Sequence, residues 1–370
     1  MRKLFLSIAV FVMALCANAQ TNQYFWYQGS LMMGNPIAQI DSVTFGENEP
    51  ADTLHILLPR TIIKEVHDTV YVTIHDTVCP NALPAGALSG GFSVSATKKV
   101  RFSQGNLQYQ ASTDTWRFAE NQYDYIGSDN NNISSTYEGW IDLFGWGTSG
   151  YDNTANDPFA VNYQPWSKSW SHIYQQCTIN SVDYNSEEVN RYGYGPSTFM
   201  PNANLTGSSA NYDWGVYNAI INGGNQAGLW RSLTGAEWYY LLKTRPSAQN
   251  LHSRATVCDK HGLILLPDNF ILPEGVSWST QDEDWTTNVY NADNWVLMEN
   301  SGAVFLPAAG YRYDGYTGTY EVESHGRYWS SSYREYVQSG CLDFIASYAD
   351  LHYTYRYHGC SVRLVQDIEK

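Results

Sequence analysis

The sequence predicts an α+β fold, because helix signals are few while short β-type runs are many. Helix signals occur at about 213–221, from 234 to just before Pro246, and at about 292–300. Elsewhere after Gly90 the chain is rich in Gly, Asn, Tyr and Trp in short alternating runs. Aromatic residues and charged residues each make up 15% of the 370 residues, so the chain can build a large core, whereas long charged helices and coiled coils are unexpected.

Residues 1–19 predict a secretory signal peptide. Two basic residues precede an apolar run, 4–17, that is too short to span a bilayer. A small-x-small cleavage site follows and ends at Ala19. We therefore expect a mature protein that is secreted, periplasmic or exposed on the outer surface. Cys16 leaves a lipoprotein open, although Leu15 stands where lipoprotein cleavage requires a small residue.

The charge balance excludes nucleic acid as a partner class. The chain carries 21 Lys+Arg against 36 Asp+Glu, a net charge of −15, whereas phosphate binding needs a basic face. No later apolar run is long enough to span a bilayer, so we expect no transmembrane segment. The cysteines after the leader are odd in number and widely scattered, which makes a poor disulfide framework.

Residues 20–46 predict a short β N-terminal element. Aromatic, apolar and polar residues alternate over 22–46 around Gly29 and Gly34, a pattern typical of a β-hairpin. Residues 47–89 predict an extended linker or stalk, because they contain a short repeat rich in β-branched residues.

Four strings in this region share one form, an Asp followed by a hydroxyl residue and an apolar residue. Their hydroxyl residues are Ser42, Thr53, Thr69 and Thr77. The form resembles the acceptor motif of the general protein O-glycosylation system of Bacteroidetes-type bacteria, and the resemblance implies glycosylation at these positions. An extended spacer also invites edge pairing, which bulky hydrophilic sugars would block. A soluble extended repeat without sugars is the alternative.

Residues 90–370 predict one α+β head domain. The first of its helices stops at Gly223. The second begins at Thr234 with Glu237 three residues later, the signature of a capping box. The third stops at Gly302. Strand signals stand before and after these helices, at 92–94, 99–102, 303–306, 328–330, 342–344 and 361–365.

Several strings of the head resemble one family, and they follow in order along about 90–367. They are FSQGNLQY at 102–109, DLFGWG at 142–147, LWRSLT with the EW that follows at 229–238, FLPAAG at 305–310, YWSSS at 328–332 and SVRLV at 361–365. The segment is similar to the Fibrobacter succinogenes major paralogous domain and its Bacteroidetes relatives. The resemblance implies a C-type-lectin-like fold related to the formylglycine-generating enzyme. It does not imply an activity, because one fold hosts many functions.

The chemistry of the formylglycine-generating enzyme is not expected here. In that enzyme two cysteines lie close together near the C-terminus, whereas Cys341 and Cys360 are well separated in this sequence. Alternation places Cys360 on the face of Val362 and Leu364, and Cys341 on the face opposite Leu342. We therefore expect the two thiols to point to different faces and to form no disulfide. No catalytic residue is predicted, although an enzyme on this fold stays an alternative.

Calcium-dependent sugar binding of the C-type lectin kind is not supported, because the triplets Glu-Pro-Asn, Gln-Pro-Asp and Trp-Asn-Asp are absent. Two oxygen-rich loops, 129–132 and 152–157, could hold Ca²⁺. Ordinary turn chemistry of Asn and Asp explains both loops as well. The sequence therefore assigns no cofactor and no metal ligand, and calcium stays open.

The most informative stretch for function is 333–358, where tyrosines mix with His, Asp, Ser and Arg between two apolar strands. Within it, Asp343 points away from the face that Leu342 and Phe344 share. Tyrosine is a rigid amphipathic contact residue, which is why binding surfaces use it heavily. The predicted ligand-binding residues are Tyr333, Tyr336, Asp343, Tyr348, Asp350, His352, Tyr353, Tyr355, Tyr357 and His358. An inert tyrosine-rich β surface is the alternative.

The same stretch resembles the variable C-terminal region of C-type-lectin-like proteins that retroelements diversify. That resemblance implies substitution at adenine-rich codons on a ligand-binding face. We therefore expect a secreted or cell-surface binding protein, such as an adhesin, that presents a tyrosine-rich face to a glycan or protein ligand outside the cytoplasm. A structural subunit of the cell envelope is the alternative from another class, and an enzyme is the third.

Overall fold

The computed structural model of this chain mixes short helices with many strands, so the α+β class is as expected. The chain divides into two compact units, Met1–Ala82 and Leu83–Lys370. The structure describes residues 22–27, 30–36, 42–45, 54–57, 83–132, 134–151, 165, 178–179, 182–183, 203–280, 284–313, 318–335, 338–356 and 358–368. No helix in this part of the chain is both long and apolar enough to cross a membrane.

The first unit contains two antiparallel strand pairs. Strand β1 (Asn22–Tyr27) pairs with β2 (Ser30–Pro36), which confirms the predicted hairpin. Strand β3 (Ser42–Phe45) pairs with β4 (Leu54–Leu57), which lies inside the predicted linker. The β element therefore continues beyond the boundary expected at residue 46.

The predicted glycosylation positions fall mostly outside the described residues. Thr53, Thr69 and Thr77 are among those outside. Ser42 lies in β3 with its backbone opposite Leu57. Glycosylation at these positions stays a prediction.

The strands of the second unit are short and pair into several small sheets. They are β5 (Phe92–Ser93), β6 (Lys99–Phe102), β7 (Leu107–Gln110), β8 (Thr115–Phe118), β9 (Thr178–Ile179), β10 (Val182–Asp183), β11 (His252–Val257), β12 (Lys260–Leu265), β13 (Val289–Tyr290), β14 (Val304–Pro307), β15 (Tyr311–Arg312), β16 (Thr319–Tyr320), β17 (His325–Glu335), β18 (Gln338–Ile345), β19 (Tyr348–Tyr355) and β20 (Val365–Asp367). The larger sheets have the strand orders β20-β6-β5, β13-β11-β12-β14 and β17-β18-β19, and the pairs are β7-β8, β9-β10 and β15-β16. Only β11 and β13 are parallel among these pairings of described strands.

Three α-helices lie where the sequence signals predict them. They are α1 (Trp214–Tyr217), α2 (Gly235–Tyr239), which continues as a π-helical turn over Tyr240–Thr244, and α3 (Ala292–Asn300). Single 3₁₀ turns occur at Ala111–Thr113, Gly127–Asn131, Gly207–Tyr212 and Ala248–Asn250.

The capping box at the start of α2 is confirmed. The hydroxyl of Thr234 accepts the Glu237 N–H at 3.1 Å, and the Glu237 carboxylate accepts the Thr234 N–H at 2.9 Å. Helix α3 ends as predicted before Gly302, whose φ of +90° is a conformation that favours glycine. Each of these two helices therefore has the terminus that its local sequence dictates.

Helix α1 is shorter than predicted and stops at Tyr217 rather than near residue 221. The next residue, Asn218, is extended, and its side-chain amide donates to the carbonyls of Trp214 and Ser149 at 3.0 and 2.9 Å. A side-chain amide that bonds a backbone carbonyl competes with the helical hydrogen bonds. Helix α1 therefore ends at an extended residue whose backbone N–H and side-chain amide both donate to the Trp214 carbonyl.

The expected strand at 361–365 is only partly regular. Its last residue opens β20, while Cys360 and Ser361 form isolated bridges with Phe144 and Tyr328. This segment therefore runs through the centre of the unit and links several sheets rather than belonging to one.

The core of the second unit consists of three apolar clusters. Cys341 and Cys360 are both fully buried in the same cluster, and both are unpaired as expected. The argument that they point to different faces is wrong. Trp329 of β17 pairs with Cys341 and also donates its N–H to the Ser361 carbonyl at 3.0 Å, so strands on both sides of β17 contribute to one cluster. Alternation holds within each strand but does not compare faces between sheets.

Candidate functional site

The predicted tyrosine stretch forms the β17-β18-β19 meander. In its register, Asp343 lies opposite Asp350, and Gly340 lies opposite Tyr353. Tyr336 and Tyr357 lie outside the described residues. The structure places the other predicted binding residues, but it does not gather them on one surface.

Residues of β19 alternate between its two sides. Tyr348, Asp350 and His352 share one side, and Tyr353 lies on the other. His352 and Tyr353 are exposed, the latter by 44%. The Asp350 carboxylate is 46% exposed and lies 3.4 Å from Lys243 Nζ. The exposed part of the prediction is therefore the end of β19 rather than the whole stretch.

Asp343 is the buried centre of a group of polar and charged side chains, named here the Asp343 network: Glu321, His325, Arg327, Asp343 and Tyr348. One carboxylate oxygen of Asp343 accepts from the Tyr348 hydroxyl at 2.8 Å and lies 2.7 Å from His325 Nε2. The other accepts from Arg327 Nε at 3.1 Å. Nδ1 of His325 lies 2.5 Å from the carboxylate of Glu321. Asp343 is only 4% exposed, so it holds its neighbours rather than facing a ligand.

The electrostatics of this network favour the ionised carboxylate. Burial alone would raise the pKa of Asp343. Hydrogen bonds from His325 and Tyr348, with the positive charges of His325 and Arg327, outweigh burial and hold that pKa below its usual value. Both ring nitrogens of His325 lie against carboxylates, Nε2 against Asp343 and Nδ1 against Glu321. The network is therefore a set of mutually compensated charges.

A second group of side chains, the Tyr311 cluster, packs on this network: Tyr311, Tyr313, Tyr320, Tyr355 and His358. The ring centroids of Tyr311 and Tyr313 are 6.3 Å apart, and those of Tyr313 and Tyr320 are 6.1 Å apart. The His358 ring lies 5.0 Å from Tyr313 and 5.5 Å from Tyr355. Centroid distances of this size are those of favourable aromatic pairs.

Arg327 joins the two groups. Its guanidinium carbon lies 3.9 Å from the Tyr311 ring centroid, and the His325 ring is 5.5 Å from the same ring. Tyr313 and Tyr320 remain 44% and 39% exposed. The result is a half-exposed aromatic surface on a base of buried, paired charges.

His358 belongs to the base of this surface rather than to its exposed part. It is 4% exposed, and its Nδ1 lies 2.8 Å from the Thr354 hydroxyl. Burial, assisted by the nearby charge of Arg327, lowers the pKa of His358 to about 3. Its ring is therefore uncharged at neutral pH and packs as an aromatic.

Two further stacks border the exposed end of the meander. The guanidinium of Arg334 lies over the Tyr353 ring at 3.7 Å. The guanidinium of Arg356 lies 5.4 Å from the Tyr333 ring and 5.7 Å from the Trp146 ring. Both tyrosine rings therefore have a guanidinium group within the range of cation–π attraction.

Sequence reasoning missed the residues of strands β15 and β16 and of the turn that follows. Tyr311, Tyr313, Tyr320, Glu321 and His325 precede the predicted stretch, and their contacts with it depend on sheet pairing. The one local pattern that could have indicated them is the alternation of tyrosines in residues 311–320. This segment is as rich in aromatic residues as the predicted stretch 333–358.

In the oxygen-rich loop at 129–132, the Asn130 side chain is bonded to protein groups. The Asn130 side chain donates to Asp142 Oδ1 at 2.7 Å, and its carbonyl accepts the N–H groups of Asp142 and Leu143. The other Asp142 oxygen accepts the Ile126 N–H at 2.9 Å. Protein donors thus occupy these oxygens, and no group of three or more His, Cys, Asp or Glu that could hold a metal ion occurs in the described residues. The loop at 152–157 lies outside them.

The buried thiols lack the character of catalytic cysteines. Burial raises the pKa of Cys360 to about 12 and holds the pKa of Cys341 well above its ordinary value. Since the thiolate is the nucleophilic form, both groups are chemically quiet in this fold.

Comparison with protein-family models, with curated proteins and with solved structures finds no match to this chain.

Proposed function

We propose that this chain is a secreted or cell-surface binding protein with a C-type-lectin-like head, and that its ligand is a glycan or a protein. The ligand would lie on the Tyr311 cluster and the neighbouring exposed end of β19. The observation that carries the proposal is the half-exposed state of Tyr313 and Tyr320 on a fixed base. Rings that are already held in place lose little entropy when a ligand covers them.

The proposal divides the predicted residues into two roles. Tyr353 and His352 are exposed and would contact the ligand. Asp343 and His358 are buried and would hold the contacting rings. Tyr313 and Tyr320 join the contact set, although the sequence prediction did not include them.

Diversification by a retroelement stays part of this proposal. Exposed positions such as His352 and Tyr353 would tolerate change, whereas buried positions such as Cys341 and Asp343 would lose stability. A reverse-transcriptase gene beside this one, with an imperfect repeat of the codons for 333–360, would support it. A repeat whose variable codons fall on the buried positions would contradict it.

The experiment is a binding screen with the full mature chain on glycan arrays and in pull-downs of extracellular proteins. We expect a ligand whose binding falls at least about tenfold in Tyr313→Ala and in Tyr353→Ala, because each removes an exposed ring. Tyr239→Ala is the matched control, since Tyr239 is 52% exposed on α2 and has no place in the cluster.

Two results of the binding screen would contradict the proposal. A screen without any binder, or a binder that all three variants retain equally, would remove the proposed role of this surface. Near-identical thermal melting of the variants is needed for either conclusion, because a lost fold also loses binding.

One observation favours the second candidate, a structural envelope subunit. Val289 on β13 and Val296 and Leu297 on α3 are 59%, 44% and 42% exposed, and these elements follow each other in the chain. Exposed apolar side chains on adjacent elements are typical of surfaces that contact other subunits. Crosslinking in cells that yields oligomers in the wild type but not in Val289→Lys would favour this role over the first.

A further inference from the structure

We propose that Tyr311, Tyr313 and Tyr320 form a corner that binds the quaternary ammonium group of an organic cation, with Glu321 as its counter-ion. The inference rests on the proposed binding function of this surface, and it names the chemical group that the surface takes.

The three rings form a closed triangle. Their centroids are 6.3, 6.5 and 6.1 Å apart for the pairs Tyr311–Tyr313, Tyr311–Tyr320 and Tyr313–Tyr320. The point in their plane that is equidistant from the three centroids lies about 3.6 Å from each. A cation about 3–4 Å above that point is therefore about 5 Å from all three centroids. This distance is within the range of cation–π attraction. Several aromatic rings around one point at that distance are the recurring arrangement for quaternary ammonium groups.

The inclination of the rings decides between a cation and a flat sugar. Their interplanar angles are 68°, 33° and 74°, so the three rings make a corner rather than a platform. A pyranose ring stacks on an open, flat aromatic face, whereas a trimethylammonium group is compact and nearly spherical. The corner therefore fits the second shape better.

The charges around the corner favour a cation. Glu321 follows Tyr320 directly, and its carboxylate is 52% exposed while its Oε2 lies 2.5 Å from His325 Nδ1. Arg327, whose guanidinium lies 3.9 Å from the Tyr311 ring, is compensated by Asp343 at 3.1 Å. His358 packs against Tyr311 and Tyr313 but is uncharged, because burial lowers its pKa to about 3. The chain as a whole carries a net charge of −15, which favours the approach of cations.

Arg327 already uses this chemistry within the fold. Its guanidinium lies over the Tyr311 ring at 3.9 Å. Tyr311 therefore serves as the floor of the corner, with one ring face against an internal cation, while the more exposed Tyr313 and Tyr320 are its walls.

The backbone at Glu321 is a second, independent observation. Its φ is +55°, a conformation that glutamate rarely adopts, and Glu323 two residues later has a φ of +64°. Such outliers persist only where the surroundings hold them, and they concentrate at functional sites. Here the unusual conformation occurs at the acidic residue that directly follows Tyr320 in the chain.

The test compares choline with its uncharged isostere, 3,3-dimethylbutan-1-ol, by calorimetry or NMR titration of the full mature chain. The two have the same shape and differ in charge, so this comparison needs no variant. We expect choline to bind at least about tenfold more tightly, because cation–π attraction is absent in the isostere. Phosphocholine as a second probe separates a free source of the group from an esterified one. Equal affinity for choline and the isostere, or no binding of choline, would overturn the proposal.

Variants locate the site. Tyr313→Leu removes a wall and should weaken choline at least about fivefold, whereas Tyr313→Phe keeps the ring and should stay within about twofold. Glu321→Gln should weaken choline about threefold, a small effect because the carboxylate is half exposed. Tyr239→Leu is the control and should change nothing. Choline binding that Tyr313→Leu and Glu321→Gln both leave intact would place the site elsewhere and contradict the inference.

The test also separates this inference from the proposed function. If the binding screen yields a cluster-dependent ligand but choline fails, the surface binds something other than an ammonium group and only this inference falls. If neither the screen nor choline shows dependence on Tyr313, both fall together.

Discussion

Asp343 is the buried carboxylate at the centre of the Asp343 network. It is 4% exposed and accepts from Tyr348 and Arg327 while contacting His325. We predict that Asp343→Asn lowers the free energy of unfolding by about 3 kcal/mol, because the change keeps the shape but leaves the Arg327 guanidinium without its counter-charge. Urea denaturation at pH 7 measures it.

Asp350→Asn is the matched control for that prediction. It lies directly opposite Asp343 in the sheet, but its carboxylate is 46% exposed and 3.4 Å from Lys243. An exposed pair of this kind contributes at most about 1 kcal/mol. If the two variants lose the same free energy of unfolding, the buried Asp343 network stabilises the fold no more than an exposed ion pair does.

Two other buried carboxyls predict an unusual pH dependence. Burial raises the pKa of Asp142 and of Asp213 to about 6 in the folded state. A raised pKa means that the folded state binds the proton more tightly, so this contribution to stability is complete below the unfolded pKa of about 3.9 and is lost as pH rises through about 6. Asp343, with its lowered pKa, acts oppositely and loses its contribution as pH falls below about 4.

We therefore predict that the free energy of unfolding declines between about pH 4 and pH 6, by on the order of 3 kcal/mol for each raised carboxyl. Asp142→Asn and Asp213→Asn should each flatten this decline, since an amide does not titrate. Urea denaturation over a series of pH values measures the slope. A slope that neither variant alters would contradict the assignment.

For single residues, the sequence predicts the face of a strand on which a side chain lies, but it does not predict which distant side chain it contacts. Alternation correctly separates Asp343 from Leu342 and Phe344, which pack in an apolar cluster. The partner His325 lies 18 residues away, and its contact depends on how β17 pairs with β18. Long-range pairing is a tertiary property, so no local pattern could have revealed this contact.

Secondary-structure elements are predictable wherever their signal is local. The capping box of α2, the glycine after α3 and the first hairpin are all confirmed, because each depends on residues within a few positions. The failures are the early end of α1 and the irregular 360–364 segment. Both depend on contacts with distant residues, such as the bond from Asn218 to Ser149.

The glycine that ends α3 also makes a close contact. A Cβ on Gly302 would lie 2.8 Å from the Cα of Gly90, and its φ is +90°. Gly275 has a similar φ of +79° but nothing within 4 Å of such a Cβ. We predict that Gly275→Ala costs about 1 kcal/mol from backbone strain alone, and that Gly302→Ala costs about 2 kcal/mol more. Thermal melting of the two variants measures the difference, and equal losses would show that the Gly90 contact is unimportant.

For the whole molecule, the second unit begins earlier than the sequence predicts. Leu88 is 1% exposed in the core, and its N–H donates to the Phe102 carbonyl at 2.9 Å. Ala87 is 4% exposed and bridges Ser103. Both residues precede the boundary that the sequence predicts at Gly90. The prediction missed them because two apolar residues are too few to distinguish a folded unit from a linker.

We predict that a fragment of residues 83–370 melts cooperatively within a few degrees of the full chain. A fragment of residues 90–370 should lose about 3 kcal/mol, because it lacks the buried Leu88 side chain. Calorimetry of both fragments beside the full chain measures this. If the two fragments melt alike, residues 83–89 do not belong to the folded unit.

The pairing of β20 with β6 has a consequence for how the protein is made. These are the last strand and one of the first strands of the unit, and nearby Arg363 reaches Asn106 across 257 positions of sequence. The β20-β6-β5 sheet therefore cannot close during synthesis until Val365–Asp367 have left the ribosome, long after β6 has done so. Contacts of such long range slow folding. The second unit therefore stays incompletely folded until Val365–Asp367 have emerged and can pair with β6, so an intermediate that lacks this pairing precedes the folded state.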